Sequence, residues 1–239
     1  MPATHSLEKT SAISLDKVAG TAPDLIAMYK DAEKSLRARE LIGSRRAVYF
    51  LFSRSAPMRH HFESGAVQRL GDQVLSLSAH LDADGKVPVG FFSDEMYTFA
   101  RRGAFQSRQA FVDALGAHQG RVGELHELLG GTGTPRYRPA MEAVRTHYRA
   151  STAYQASIPA FVVFQTDVEP QDEPATRDFL QATAHENVRW QFVPFGAERR
   201  FDLLRRLPGN IGVSAAGAHP LALSNIELYN RLVAGLPGT

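Results

Sequence analysis

A three-layer α/β domain with a doubly wound, mostly parallel sheet is the architecture that this sequence predicts, on three observations. Two apolar runs of strand length, AVYFLFS (47–53) and the core of IPAFVVFQTD (158–167), lack alternation, as expected of strands covered on both faces. Amphipathic helical patterns, best seen in GAVQRLGDQVLSLSAHL (65–81), recur between such runs. Strand and helix signals alternate along nearly the whole chain, which is how βα units announce themselves.

Composition sets the frame. At 239 residues and 44% hydrophobic content the chain fits one large domain with a substantial core. Lysine and arginine number 27 against 25 acidic residues, a net charge of +2, so the pI of about 9.0 rests on a small excess and is weak evidence for nucleic-acid binding; no nucleic-acid partner is expected. Without cysteine, disulfides, thiolate catalysis and sulfur-ligated zinc are excluded. No apolar run approaches the roughly 18–20 residues of a membrane helix, and no basic start precedes an apolar core. The expectation is a cytoplasmic protein without membrane insertion.

Taken in order, residues 1–20 are polar and form a partly flexible tail, and 21–239 form a single domain. Pro23 opens a helix over DLIAMYKDAEKSLRARE, in which Leu25, Ile26, Tyr29, Ala32 and Leu36 share a face and which Gly43 closes. The 47–53 strand and the 65–81 helix follow, the latter carrying Val67, Leu70, Val74, Leu77 and Leu81 on one side. DADGKVPVGFFS is turn then strand, and EMYTF a short neighbouring strand. Helices are expected in SRQAFVDALGAH and YRPAMEAVRTHYRAS. After the second buried strand come a helix in EPATRDFLQATAHE, a strand in NVRWQFVPFG, a short helix in ERRFDLLRRL, a strand in IGVSAA and a last helix in LSNIELYNRLVAGL.

In such a sheet, ligands bind outside the carboxyl ends of the strands where the winding reverses. That rule selects the loops after Phe52 and Phe164 and the helix-entry segment GGTGTPRYRP. Competing motifs are weak. His60-His61 reads as a surface pair, since adjacent side chains rarely converge on one ion. GGTGT lacks the Gly-Lys-Ser/Thr of a phosphate loop. SLEK and SLDK lack the companions of an acylating serine, and Ala216 stands where a nucleophile elbow needs glycine. Ser214 and the alternating Trp190 and Phe192 read as buried strand residues. The pairs Arg45-Arg46, Arg101-Arg102, Arg199-Arg200 and Arg205-Arg206 read as solvated faces.

The segments DKVAGTAPDLIAMYKDAEKSL, GAVQRLGDQVLSLSAHLDADGKVPVGFF, YRPAMEAVRTHY, PAFVVFQTDVEP, VRWQFVPFG and IELYNRLVAGLP, in that order and spacing, resemble the von Willebrand factor A (VWA) domain family. The resemblance is to its bacterial tellurite-resistance (TerF-type) subgroup and runs from about Ser14 to Pro237. It implies a Rossmann-like sheet of about six strands flanked by helices, with a metal-ion-dependent adhesion site (MIDAS) at the strand carboxyl ends. That site uses Asp-x-Ser-x-Ser after the first strand, a threonine from a later loop and an aspartate after the fourth strand.

Laid on this chain, the pattern is degenerate. Ser53 takes the first aspartate position, Ser55 the first serine and Pro57 the second. Pro135 takes the threonine position, with Thr134 one residue early. Asp167 is retained, followed by Val168 in place of glycine. One carboxylate with two or three hydroxyls is a poor cage for Mg²⁺ or Ca²⁺, because little negative charge offsets the loss of the ion's water. The metal set Ser55, Asp167, Thr134 and Ser53 is therefore expected to bind divalent ions weakly or not at all, and no cofactor is required. Arg54, Arg59, Arg136 and Arg138, beside His60 and His61, turn the same rim toward an acidic partner or small anion.

The resemblance implies a non-enzymatic protein-interaction module acting in tellurite or general stress resistance, with a protein partner at the strand carboxyl-end face. The alternative is a hydrolase-like small-molecule enzyme on a doubly wound fold. It would need a base beside a nucleophile, and Asp167, His60 and His61 are its only candidates.

Overall fold

Six strands form one sheet in the order β3-β2-β1-β4-β5-β6, all parallel except β3, which runs antiparallel to β2 at the edge. The computed structural model describes residues 10–82, 87–94, 96–98, 133–196, 201, 203–206 and 209–238. The strands are β1 (Ala47–Ser53), β2 (Val89–Phe92), β3 (Met96–Thr98), β4 (Ala160–Thr166), β5 (Val188–Pro194) and β6 (Ile211–Val213). Helices among the described residues are α1 (Leu15–Thr21), α2 (Ile26–Arg37), α3 (Arg59–Glu63), α4 (Ala66–Leu81), α5 (Tyr137–Arg149), α6 (Thr152–Gln155), α7 (Glu173–Ala182) and α8 (Asn225–Leu232).

The lack of alternation in β1 and β4 has the expected cause. Val48, Phe50 and Phe52 of β1 and Phe161 and Val163 of β4 pack on one face with α1, α2, α4 and α8. Tyr49 and Leu51 of β1 and Val162 and Phe164 of β4 pack on the other face, against Tyr137, Met141, Val144 and Tyr148 of α5 and Phe179 and Leu180 of α7. Both faces are thus apolar, and each fully buried side chain of this size contributes about 1.5–3 kcal/mol. The register Leu51↔Phe164, with Phe164↔Phe192 beyond it, fixes the heights at which the three strands end.

The winding reverses between β1 and β4: the chain adds β2 and β3 on one side of β1, then β4, β5 and β6 on the other. The switch point therefore lies between the end of β1 and the end of β4.

Several local expectations are corrected. α2 ends at Arg37, and the left-handed residue of its termination is Glu40 (φ 58°) rather than Gly43, with Leu41 N–H donating to Leu36 O at 2.9 Å in the Schellman manner. Within the described part of the tail Ile13 is buried, its N–H donates to Ala79 O at 2.7 Å, and its carbonyl accepts from Tyr29 Oη. Of the segment 198–207, the described residues include a short 3₁₀ turn, Leu203–Arg206. The helix expected in SRQAFVDALGAH and the pair Arg101-Arg102 lie outside the described residues. Arg46 and His61 are buried, not solvated.

Candidate functional site

Asp167 follows the last residue of β4, and its carboxylate reaches across the switch point to β1. Ser53, the last residue of β1, donates from Oγ to Asp167 Oδ1 at 2.9 Å. Ser55 donates from Oγ to Asp167 Oδ2. Both carboxylate oxygens thus accept a seryl proton, and all three residues are buried: Ser53 at 0%, Ser55 at 3% and Asp167 at 6% exposure. Burial raises the Asp167 pKa above the ordinary carboxylate value, and the two hydroxyl donors pull against that rise without cancelling it.

Three loops are stitched together here by backbone bonds. Arg54 N–H donates to Phe92 O at 2.7 Å, tying the β1 loop to β2. Gly133 N–H donates to Arg54 O at 3.3 Å, and Gln171 N–H donates to Pro135 O at 2.9 Å. Thr134 sits between these last two tethers, exposed, at the same rim as Ser53 and Ser55. Gly133 packs closely on the turn after β2: a Cβ there would lie 2.6 Å from Asp94 Oδ1 and 2.9 Å from Ser93 Oγ, so those two side chains would have to shift.

The four arginines separate. Arg54 is interior, 2% exposed, beneath the loops rather than on the rim. Arg59, Arg136 and Arg138 are exposed. Arg138 is paired with Glu142 at 2.8 Å, whereas Arg59 and Arg136 are in no ion pair among the described residues. The two histidines also part company. His60 is exposed, donates from Nδ1 to Pro57 O at 2.7 Å, and lends positive potential to Asp167. His61 is buried edge-on to Phe195, and desolvation holds its pKa down at about 4.

Three supporting residues carry no motif. Gln165 Oε1 accepts from Ser53 N–H at 3.1 Å and so fixes the end of β1 against β4. Tyr137 donates from Oη to Val168 O and shares a 2.5 Å bond with Thr166 Oγ1, pinning the loop that carries Asp167. Asp172 accepts the first free N–H groups of α5, from Tyr137 at 2.9 Å and Arg138 at 3.1 Å. The one available sequence signal was that Arg136 at the N-cap has no capping side chain of its own, so the cap had to come from elsewhere.

Among the described residues, no hydrolytic arrangement is assembled at this site. His60 is turned to Pro57, and neither seryl hydroxyl is bonded to a histidine. A serine–histidine bond does exist, Ser11 Oγ to His80 Nδ1 at 2.6 Å, but His80 is fully buried and lies at the opposite end of the sheet. A cavity of about 410 Å³ beyond the ends of β5 and β6 is lined by His219, Glu227 and Arg231, with no hydroxyl side chain among its described lining residues.

A strand-end aspartate bonded to two serines of the neighbouring strand's loop, at the switch point of a five-parallel-strand sheet, is the setting in which comparison with known proteins becomes informative. The family model "vWA found in TerF C terminus" (vWA-TerF-like) matches residues 45–238. The uncharacterized protein YcbR of Bacillus subtilis (strain 168) is 27% identical over 188 residues, covering 75% of this chain and 71% of that protein. Among solved structures, the manganese-loaded Plasmodium vivax TRAP protein superposes with a TM-score of 0.52 at 14% identity, over 79% of this chain and 74% of that one. Proximal thread matrix protein 1 from the mussel byssus superposes with a TM-score of 0.50 at 13% identity, over 80% of this chain. The chain spans 46% of the mussel protein's length. At such identities the likeness to these structures is one of fold. By the family match over most of its length, the chain belongs to the vWA-TerF-like family of VWA domains.

Proposed function

We propose that this chain is a non-enzymatic, cytoplasmic protein-interaction module of tellurite or general stress resistance, whose strand carboxyl-end face recognises an acidic partner segment without a bridging metal. VWA domains serve in general as interaction modules, and the family places this chain among them. The observation that supports the metal-independent part is that the centre joins Ser53 and Ser55 to one carboxylate, Asp167.

A divalent ion at this centre would take lone pairs of the two seryl oxygens, whose protons can go on bonding to Asp167. It would gain one negative charge. Among the described residues, no cluster of three or more histidine, aspartate or glutamate side chains is placed to hold a metal. The residues present therefore fit a hard cation poorly. Around this closed centre stand Arg59, Arg136 and His60, exposed and without carboxylate partners among the described residues, which favours an anionic contact. Arg54 supports the rim from beneath. Thr134, exposed beside it, contributes a hydroxyl to the same face.

The test is capture of the partner on the immobilised chain, with and without EDTA, beside an Arg59→Glu/Arg136→Glu double variant. The reading predicts a partner retained in EDTA, weakened by salt and lost by the double variant. A partner released by EDTA and indifferent to the double variant contradicts it.

A further inference from the structure

At the opposite end of the sheet, two arginines share a cavity of about 310 Å³. Arg46 immediately precedes β1, Arg189 is the second residue of β5, and Asn210 immediately precedes β6. All three line the cavity, together with Glu186 and the α8 exit at Gly235 and Pro237. The volume sits at the lower end of the roughly 300–1,000 Å³ range of small-molecule sites.

Arg46 is 4% exposed and is in no ion pair among the described residues, which is rare for a guanidinium. Its Nη2 donates to Pro237 O at 2.7 Å, and its Nε is buried with no hydrogen-bond partner. Arg189 repeats the pattern: Nη1 donates to Gly209 O at 2.7 Å, and Nε is buried and unpartnered. Burial, then the charge of Arg189, pushes the Arg46 pKa down, so the two cations feel one another. Burial does the same to Arg189.

The carboxylate in the cavity wall does not neutralise them. Glu186 is held by Arg145, with Nη2 to Oε1 at 2.6 Å, and by Arg149 at 2.8 Å. The buried guanidinium of Arg46 and the half-buried one of Arg189 thus face a common space with backbone carbonyls as their hydrogen-bond partners among the described residues, an arrangement whose desolvation cost an anion would offset.

The backbone is shaped to keep Arg189 there. A Cβ at Gly235 would lie 2.0 Å from Arg189 Nη2, and one at Gly212 would lie 2.7 Å from it. The third polar group has the opposite sense. Asn210 donates from Nδ2 to Val188 O at 3.3 Å, which leaves its buried Oδ1 as an acceptor without a donor. Unpartnered donors beside one unpartnered acceptor suit an oxyanion that also carries a hydroxyl.

We infer that the amino-terminal end of the sheet is a binding site for a phosphate-type anion, hydrogen phosphate or the phosphoryl group of a small phosphomonoester, held by Arg46 and Arg189 with Asn210 accepting from its hydroxyl. The site is separate from the Ser53–Ser55–Asp167 centre, since the two occupy opposite ends of β1.

The experiment is calorimetric titration of the whole chain with inorganic phosphate, glycerol 3-phosphate, sulfate and glycerol at constant ionic strength, with thermal denaturation under the same conditions. Saturable binding of phosphate or glycerol 3-phosphate, with a rise in Tm beyond that given by sodium chloride, is expected. Tighter binding of glycerol 3-phosphate assigns a monoester, and tighter binding of inorganic phosphate assigns the free ion. Sulfate should bind several-fold more weakly because it offers Asn210 no proton, and glycerol should not bind. Arg189→Met, at a half-buried position, should weaken phosphate binding at least tenfold while keeping the wild-type far-UV spectrum. Arg46→Met should do the same, and if it fails to fold, Arg189→Met and Asn210→Leu carry the test. No saturable binding by the wild type, or binding unchanged in Arg189→Met, overturns the site. Equal affinity for sulfate overturns its assignment to phosphate.

Discussion

Ser53 and Asp167 stand 114 residues apart in the chain and are joined by a 2.9 Å hydrogen bond across the switch point of the sheet. With Ser55 on the other carboxylate oxygen, the pair converts a strand-end aspartate into a closed, buried polar unit. Its energetics should follow those of a carboxylate kept from water by its own neighbours.

Ser55→Ala leaves Asp167 Oδ2 buried without its seryl donor, which should cost about 1–3 kcal/mol at neutral pH. The cost should shrink as pH falls and Asp167 gains a proton. The direction follows from the raised Asp167 pKa: its contribution is fully present below the ordinary carboxylate value and is lost as pH rises through the folded value. Asp167→Asn should therefore gain on the wild type as pH increases. Urea denaturation of the three proteins between pH 4 and 8 checks both statements.

Asp72 on α4 should give the clearest pH signature. Burial raises its pKa from 3.8 to about 6, against the Gln68 amide bonded to it at 2.7 Å. Its stabilising contribution is complete below 3.8 and lost as pH climbs through about 6. Asp72→Asn keeps an acceptor for Gln68 and removes the ionisation. It should match the wild type near pH 4 and exceed it by about 1–2 kcal/mol above pH 7, measured by denaturant titration at both values.

Asp172→Ala removes the acceptor of two N–H groups at the start of α5, at 2.9 and 3.1 Å, and the negative charge beside that helix end. A loss of about 1–2 kcal/mol is expected. Hydrogen exchange should show it as faster exchange at Tyr137 and Arg138, and Asp172→Asn should recover part of it.

The legible parts of the fold are those whose cause is local. The unbroken apolar runs of β1 and β4 announced two covered faces, and the α4 stripe announced its packing side. The switch-point rule pointed to the loop after Phe164, and the resemblance to VWA domains named Asp167 within it. The rest depends on partners distant in sequence. His61 is buried by Phe195, Arg46 by the α8 exit at Pro237, and α5 is capped by Asp172, 35 residues beyond Tyr137. No window of sequence contains both members of such pairs. Glycine chemistry misled in one place, since Glu40 took the left-handed position that Gly43 was expected to fill, because the helix ends at Arg37, six residues before the glycine.

The central claim, a VWA face that works without a bridging ion, is tested most directly by calorimetric titration of the chain with Mg²⁺, Mn²⁺ and Ca²⁺ at neutral pH, beside Asp167→Ala. The account predicts no saturable heat tighter than about millimolar for any of the three, since one carboxylate and two hydroxyls supply little charge for a hard cation. A dissociation constant in the low micromolar range, abolished by Asp167→Ala, would contradict it.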